Sequence, residues 1–226
     1  GVFHWVFQGG EPLVDLDRLY PILENCHPEE CYINLVTNGW SLDETLMCWL
    51  VEKGVDKLTF SLDSGIAEEH DHIRGRGSFH KVMEGIELTQ THGILAGIST
   101  VVTHESLYSE GFNLAYTIAR DRRIRLDVQI AEPVGKWDGQ TGMLITSQDA
   151  RYIRQLFDEA PLLPNGQKLV KRDINCGNSD HCPAGTEFMA ITSSGEVLAC
   201  NFLQYSLGNI RDKSLKEMRQ DILTSC

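Results

Sequence analysis

Apolar and polar residues along this chain follow two periods, about 2 and about 3.6, and the switches between them mark out alternating strands and helices. Val2 to Phe7 is an apolar run closed by Gln8-Gly9-Gly10-Glu11-Pro12. Asp15 is the expected N-cap of a helix with Leu16, Leu19, Tyr20 and Leu23 on one face. Tyr32 to Thr37 predicts a second strand, ended by the turn signal Asn38-Gly39. Ser41-x-x-Glu44 reads as a capping box for a helix carrying Leu42, Leu46, Trp49 and Leu50, with Gly54 as its stop. Lys57 to Asp63 predicts a third strand. Ser78 is placed to cap a helix with Phe79, Val82, Met83 and Ile86 inward, ending at Gly93. A fourth strand follows from Leu95 to Thr103, then a helix marked by Leu114 and Ile118, then a fifth strand from Ile124 to Ile130. Thr146-x-x-Asp149 opens a further helix bearing Ile153, Leu156 and Phe157.

Strands separated by helices form βαβ units, so the strands are expected to lie parallel in an α/β fold. Five units are too few for an eight-stranded barrel; one more strand before Gly1 would give a six-stranded open barrel. A doubly wound open sheet has the same periodicity and stays open as the rival. The pattern changes near Pro161, where Pro161, Pro164, Asn165 and Gly166 form a loop. We therefore divide the chain into a barrel over 1–160 and a small cysteine-bearing extension over 161–226. In the extension, Phe188 to Thr192 and Val197 to Ala199 flank Ser193-Ser194-Gly195-Glu196, a β-hairpin with a glycine turn. That hairpin would bring Cys182 and Cys200 together, and soft thiolates select iron–sulfur clusters or zinc.

Composition narrows the setting. A formal charge of −12, with basic residues clustered only from Arg120 to Arg125, argues against sequence-independent binding to nucleic acid. No stretch approaches the roughly 18 apolar residues of a membrane helix, and the expected location is the cytoplasm. Seven cysteines in 226 residues read as reduced thiols or metal ligands rather than a disulfide framework. Cys48, beside Trp49 on the apolar side of its helix, reads as a core residue. The chain starts inside a strand-like run and is read as a fragment.

The most informative chemistry is the turn after the first strand. Gly9 and Gly10 bring bare backbone, and Glu11 a carboxylate, to a strand's C-terminal end, where parallel α/β proteins bind ligands; such a point suits an ammonium group. With the motifs downstream, the chain resembles the radical S-adenosylmethionine enzymes that carry a C-terminal SPASM or twitch extension. Gln8 to Pro12 matches the family's Gly-Gly-Glu-Pro loop, Ser61-Leu62-Asp63 the end of a strand near the ribose and carboxylate, and Ile73-Arg74-Gly75 the arginine that pairs with the methionine carboxylate. Ile130 matches the position packing on adenine, and Cys182-x12-Gly195-x4-Cys200 the auxiliary-cluster motif, with Gly208-Asn209-Ile210 and Ser214-Leu215 after it.

The resemblance implies a partial (β/α)6 TIM-like barrel missing its first strand, plus the small cysteine-rich extension. It implies S-adenosylmethionine, a radical-generating 4Fe-4S cluster and an auxiliary iron–sulfur cluster as cofactors. The expected reaction is reductive cleavage to a 5′-deoxyadenosyl radical that takes hydrogen from a peptide or small metabolite. A reduced flavodoxin- or ferredoxin-type donor would supply the electron. Cofactor-binding residues are expected at Gly9, Gly10, Glu11, Pro12, Asn38, Ser61, Asp63, Arg74 and Ile130, substrate contacts at Gln8 and Glu132, and cluster ligands at Cys182, Cys200, Cys176 and Cys226. The family's Cys-x3-Cys-x2-Cys loop is absent from the sequence and is expected upstream of Gly1. The alternative is a non-catalytic iron–sulfur electron-transfer or scaffold protein.

Overall fold

A computed structural model describes residues 2–133, 135–172, 183–203 and 205–225. Six strands form one parallel sheet: β1 (His4–Phe7), β2 (Tyr32–Thr37), β3 (Lys57–Ser61), β4 (Leu95–Val102), β5 (Arg125–Ile130) and β6 (Val170–Arg172). Their spatial order is the chain order. Each crossover therefore steps one place in the same direction, which is barrel-type winding; a doubly wound sheet reverses direction at a switch point. Topology thus removes the rival that periodicity left open.

The chain divides into two compact units, Gly1–Ala131 with Met143–Arg172, and Glu132–Gly142 with Asp173–Cys226. The sixth strand comes from a stretch that the sequence reading gave to the extension. Only three residues long, β6 carries too little pattern to be seen, and the loop at Pro161 leads from α6 (Ser147–Glu159) back into the sheet.

Alternation along each strand sorts the core. Ile33, Leu35, Leu58, Phe60, Ile98, Leu126 and Val128 are all fully buried, and Phe60 lies against Gly85 of α4 (Ser78–Thr91). Each such side chain contributes about 1.5–3 kcal/mol from burial. The opposite face is polar. Thr59 donates its hydroxyl to Asn34 Oδ1 at 2.9 Å, and Lys57 Nζ meets Asp127 Oδ2 at 3.3 Å. Gly97 makes room for the Lys57 stem, since a Cβ there would sit 2.7 Å from Lys57 Cε.

The helical layer consists of α1 (Leu16–Glu24), α2 (Glu44–Glu52), α3 (Ala67–Arg74), α4, α5 (Glu110–Arg122) and α6. Three local expectations change. Asp43, rather than Ser41, caps α2, accepting from the Leu46 N–H at 2.8 Å. Ser78 is the first helical residue of α4 after the left-handed Gly77, and the cap comes from Asp71 on α3, which accepts from the N–H groups of Gly77 and Phe79. Cys48 is exposed, because the buried stripe of α2 runs through Leu46, Met47 and Leu50. Helix α3 has no sequence counterpart. His70 is its one buried residue, so it offers no apolar stripe; acidic residues in its first turn and His72 and Arg74 in its last favour it through the macrodipole.

In the second unit the expected hairpin forms. Strands β7 (Ala190–Ile191) and β8 (Glu196–Leu198) pair antiparallel around Gly195, whose φ of +88° only glycine adopts freely. A third strand, β9 (Ser206–Asn209), pairs with β8, and α7 (Leu215–Ser225) follows. The Asn209 amide holds the turn by donating to Ser194 O and Glu196 Oε1, both at 3.1 Å. No helix among the described residues is long and apolar enough to cross a membrane.

Candidate cofactor site at the carboxyl ends of the strands

Because all six strands are parallel, the residues following β1 to β5 share one edge of the sheet. At the end of β1, Gly9 (φ +88°) and Gly10 (φ +53°) turn the chain with positive φ, and a Cβ built on either would meet nothing within 4 Å. The backbone there borders open space. Pro12 then starts a short 3-10 turn for which Glu11 is the N-cap.

The Glu11 carboxylate is already well used. Its Oε1 accepts from the Thr37 hydroxyl at 2.7 Å and the Leu13 N–H at 3.1 Å, and its Oε2 accepts from the Asn38 N–H at 2.7 Å. Glu11 therefore fixes the glycine turn onto the end of β2. The Asn38 side chain closes a local turn by accepting from the Trp40 N–H at 2.8 Å, as an Asn-Gly pair favours.

At the end of β3, Ser61 lies opposite Ser99 of β4, and Asp63 follows. Asp63 Oδ2 accepts from Arg74 Nε at 2.6 Å and Oδ1 from the Val101 N–H at 3.4 Å. The sequence named both residues without foreseeing that they pair. Helix α3 is what carries Arg74 back over the strand end. Beneath the pair, the buried His70 takes the Asp63 N–H on Nδ1 at 3.3 Å. Burial pushes the His70 imidazole below its ordinary value, with the Asp63 charge working the other way. A polar sequence context hid His70; no periodicity marks a single buried histidine.

Past β4 stands a second polar group that the sequence saw only as a capping box. Asp149, almost fully buried, accepts from the Thr146 N–H and hydroxyl, from the Tyr108 hydroxyl at 2.7 Å and from His104 Nδ1 at 2.8 Å. Burial alone would raise its carboxyl, but these donors outweigh it and hold the group well below the usual carboxylate range.

Of the remaining candidates, Gln8 is exposed beside the glycines, and Ile130 ends β5 opposite Val102. Glu132 falls in the second unit. Cys200, just after β8, is 6% exposed, and its Sγ accepts from the Phe202 N–H at 3.4 Å. Cys176, Cys182 and Cys226 lie outside the described residues.

The sequence and fold match known proteins. The family model described as the radical SAM superfamily matches residues 1–112, and a second, SPASM, described as an iron–sulfur cluster-binding domain, matches 182–222. The chain belongs to the radical SAM superfamily. It is 26% identical over 238 residues to the AdoMet-dependent heme synthase of Methanosarcina barkeri, covering 94% of this chain and 67% of that protein. It is 23% identical to the PqqA peptide cyclase of Methylocella silvestris, covering 96% and 61%. Among solved structures, native anSMEcpe with bound AdoMet superposes with a TM-score of 0.70 at 24% identity, over 96% of this chain and 66% of that one. The chain thus spans 61–67% of the length of these relatives.

Proposed function

We propose that this chain supplies the S-adenosylmethionine-binding sheet and the auxiliary-cluster unit of a radical enzyme that abstracts hydrogen from a peptide or small metabolite. The observation that carries this reading is the strand-end constellation: a glycine turn bordering open space, fixed by Glu11 to β2, with an arginine–aspartate pair on the same sheet edge.

The residues fit the cofactor's methionine end. With Glu11 occupied by Thr37 and Asn38, the Gly9-Gly10 backbone is the part of the loop suited to receiving an ammonium group. Asp63 takes the Arg74 Nε–H and aims the guanidinium, so that its terminal nitrogens suit a ligand carboxylate in bidentate fashion. Ser61 is proposed to meet the ribose and Ile130 the adenine, and Gln8 and Glu132 are proposed as substrate contacts. In the second unit, the buried Cys200 thiol with a backbone N–H aimed at its sulfur fits a thiolate cluster ligand; Cys176, Cys182 and Cys226 are proposed to share it. When bound, a reduced cluster and S-adenosylmethionine together supply the radical chemistry, fed by a flavodoxin- or ferredoxin-type donor. What this chain contributes is placement and exclusion of water.

The test is anaerobic reconstitution of the protein carrying this chain with iron and sulfide, followed by assay of 5′-deoxyadenosine from S-adenosylmethionine and dithionite. Product that falls at least about 100-fold in Arg74→Ala supports the reading, because a bidentate carboxylate contact would be lost. Absence of deoxyadenosine despite a full iron and sulfide complement overturns it and favours the electron-transfer alternative. Peptide and tetrapyrrole or other small-metabolite candidates are then told apart by which one gains or loses hydrogen mass.

A further inference from the structure

Outside the sheet, among the described residues, one group of three metal-ligand types converges: Glu44 and Cys48, one turn apart on α2, and His92, which caps α4. Their ligand atoms all lie within 4.8 Å of one another. His92 Nε2 is 2.8 Å from Glu44 Oε1 and 3.9 Å from Cys48 Sγ. The other ring nitrogen, Nδ1, lies 2.9 Å from Leu88 O. A carbonyl only accepts, so this contact places a proton on Nδ1 and aims Nε2 at the other two groups. A backbone carbonyl on the distal nitrogen is one of the usual ways in which a metal-bound histidine is oriented. It also sets the Nε2 lone pair facing a carboxylate oxygen at hydrogen-bond distance. Two acceptors at that distance require a shared proton or a metal ion between them.

The spacing suits a metal. A four-coordinate zinc would hold nitrogen and oxygen about 3.3 Å apart and sulfur and nitrogen about 3.6 Å apart, given bonds of roughly 2.0–2.1 Å to N and O and 2.3 Å to S. Reaching those values from 2.8 and 3.9 Å takes shifts of a few tenths of an ångström, and the carboxylate and thiol, within 4.8 Å of each other, need to close by at most about 1.2 Å. The Glu44 side chain, 69% exposed, is free to make them, and His92, 18% exposed, is held. The soft thiolate selects zinc and its transition-metal neighbours over magnesium or calcium.

We propose that Glu44, Cys48 and His92 form a zinc site on the outer helical layer, with three protein ligands and the fourth position taken by water. The site clamps α2 to α4. It shares no residue with the strand-end cofactor constellation or with Cys176, Cys182, Cys200 and Cys226, so its loss is expected to leave cluster content unchanged.

The test uses cluster-reconstituted protein freed of zinc by EDTA and gel filtration under anaerobic conditions. Zinc is titrated by equilibrium dialysis with elemental analysis, for the native sequence and for Cys48→Ser and His92→Gln, with melting followed with and without zinc. The expected result is one zinc per chain that raises the melting temperature, with affinity at least about 100-fold weaker in either variant and iron content unchanged. Equal zinc binding by all three proteins places the metal elsewhere and leaves the triad a histidine–carboxylate ion pair, which overturns the proposal; so does absence of zinc from the folded native protein. Melting in EDTA shows whether the variants fold. If one does not, zinc-edge X-ray absorption of the native protein decides: a shell with one sulfur supports the triad, and a shell of nitrogen and oxygen only, or of several sulfurs, refutes it.

Discussion

Replacing Arg74 by alanine should destabilise the first unit more than replacing its partner Asp63, and the reason lies in their unequal burial. The pair is tight, with Nε to Oδ2 at 2.6 Å, but the Asp63 side chain is 9% exposed and that of Arg74 35%. Two unit charges about 4 Å apart attract by ~1 kcal/mol in bulk water and about 4 at an effective dielectric of 20. This site lies between those limits, and desolvation and ordering of the arginine offset part of the gain. We expect a net coupling of about 1–2 kcal/mol. Removing Asp63 leaves a guanidinium that water can reach, at a cost of about 1 kcal/mol. Removing Arg74 strands a nearly buried carboxylate whose other partner, the Val101 N–H, is distant at 3.4 Å, so the cost should approach 2–3 kcal/mol. Urea unfolding of both single variants and the double variant gives all three numbers in one double-mutant cycle. Coupling below about 0.3 kcal/mol, or a larger cost for Asp63→Ala than for Arg74→Ala, would refute the argument that burial of the aspartate governs this pair.

Three further outcomes can be checked. Gly85→Ala places a methyl 2.5 Å from Phe60 Cε1; overpacking of about 1–3 kcal/mol should exceed the ~1 kcal/mol gained in helix propensity, giving a net loss by thermal unfolding, and a stabilised variant would contradict it. Because burial holds His70 below its ordinary value of 6.5, the folded chain binds fewer protons than the unfolded one just under that pH. The His70 contribution is then fully present above pH 6.5 and is lost as pH falls toward the folded-state value, so His70→Asn should flatten the slope of stability against pH in that window; an unchanged slope rules the assignment out. Glu11→Ala should cost about 2–3 kcal/mol by breaking charge-assisted bonds to Thr37, Asn38 and Leu13, and hydrogen exchange should quicken at the Asn38 and Leu13 amides while the β4–β5 ladder keeps its protection.

The division between sequence and structure follows from the range of the forces involved. Strand and helix identity is local, so β2 was legible to the residue and the Thr146–Asp149 capping box was found from its spacing alone. The Gly-Gly-Glu-Pro turn was equally plain, because positive φ at successive residues demands glycine and a strand must end there. Long-range pairing was not legible. The consecutive sheet order that makes this barrel-type winding depends on which edge each crossover joins, and β6 is too short to announce itself. Helix α3 forms without an apolar stripe, yet it alone brings Arg74 to Asp63 and Asp71 to the start of α4. Cys48 looked like core because its neighbours are apolar, and only the packing of α2 turned it outward to face His92. Sequence by itself determined the elements, the glycine turn and the types of residue available for chemistry. Tertiary structure alone decided which of those residues meet, because ion pairs and ligand sets join side chains far apart in the chain and no local periodicity encodes that distance.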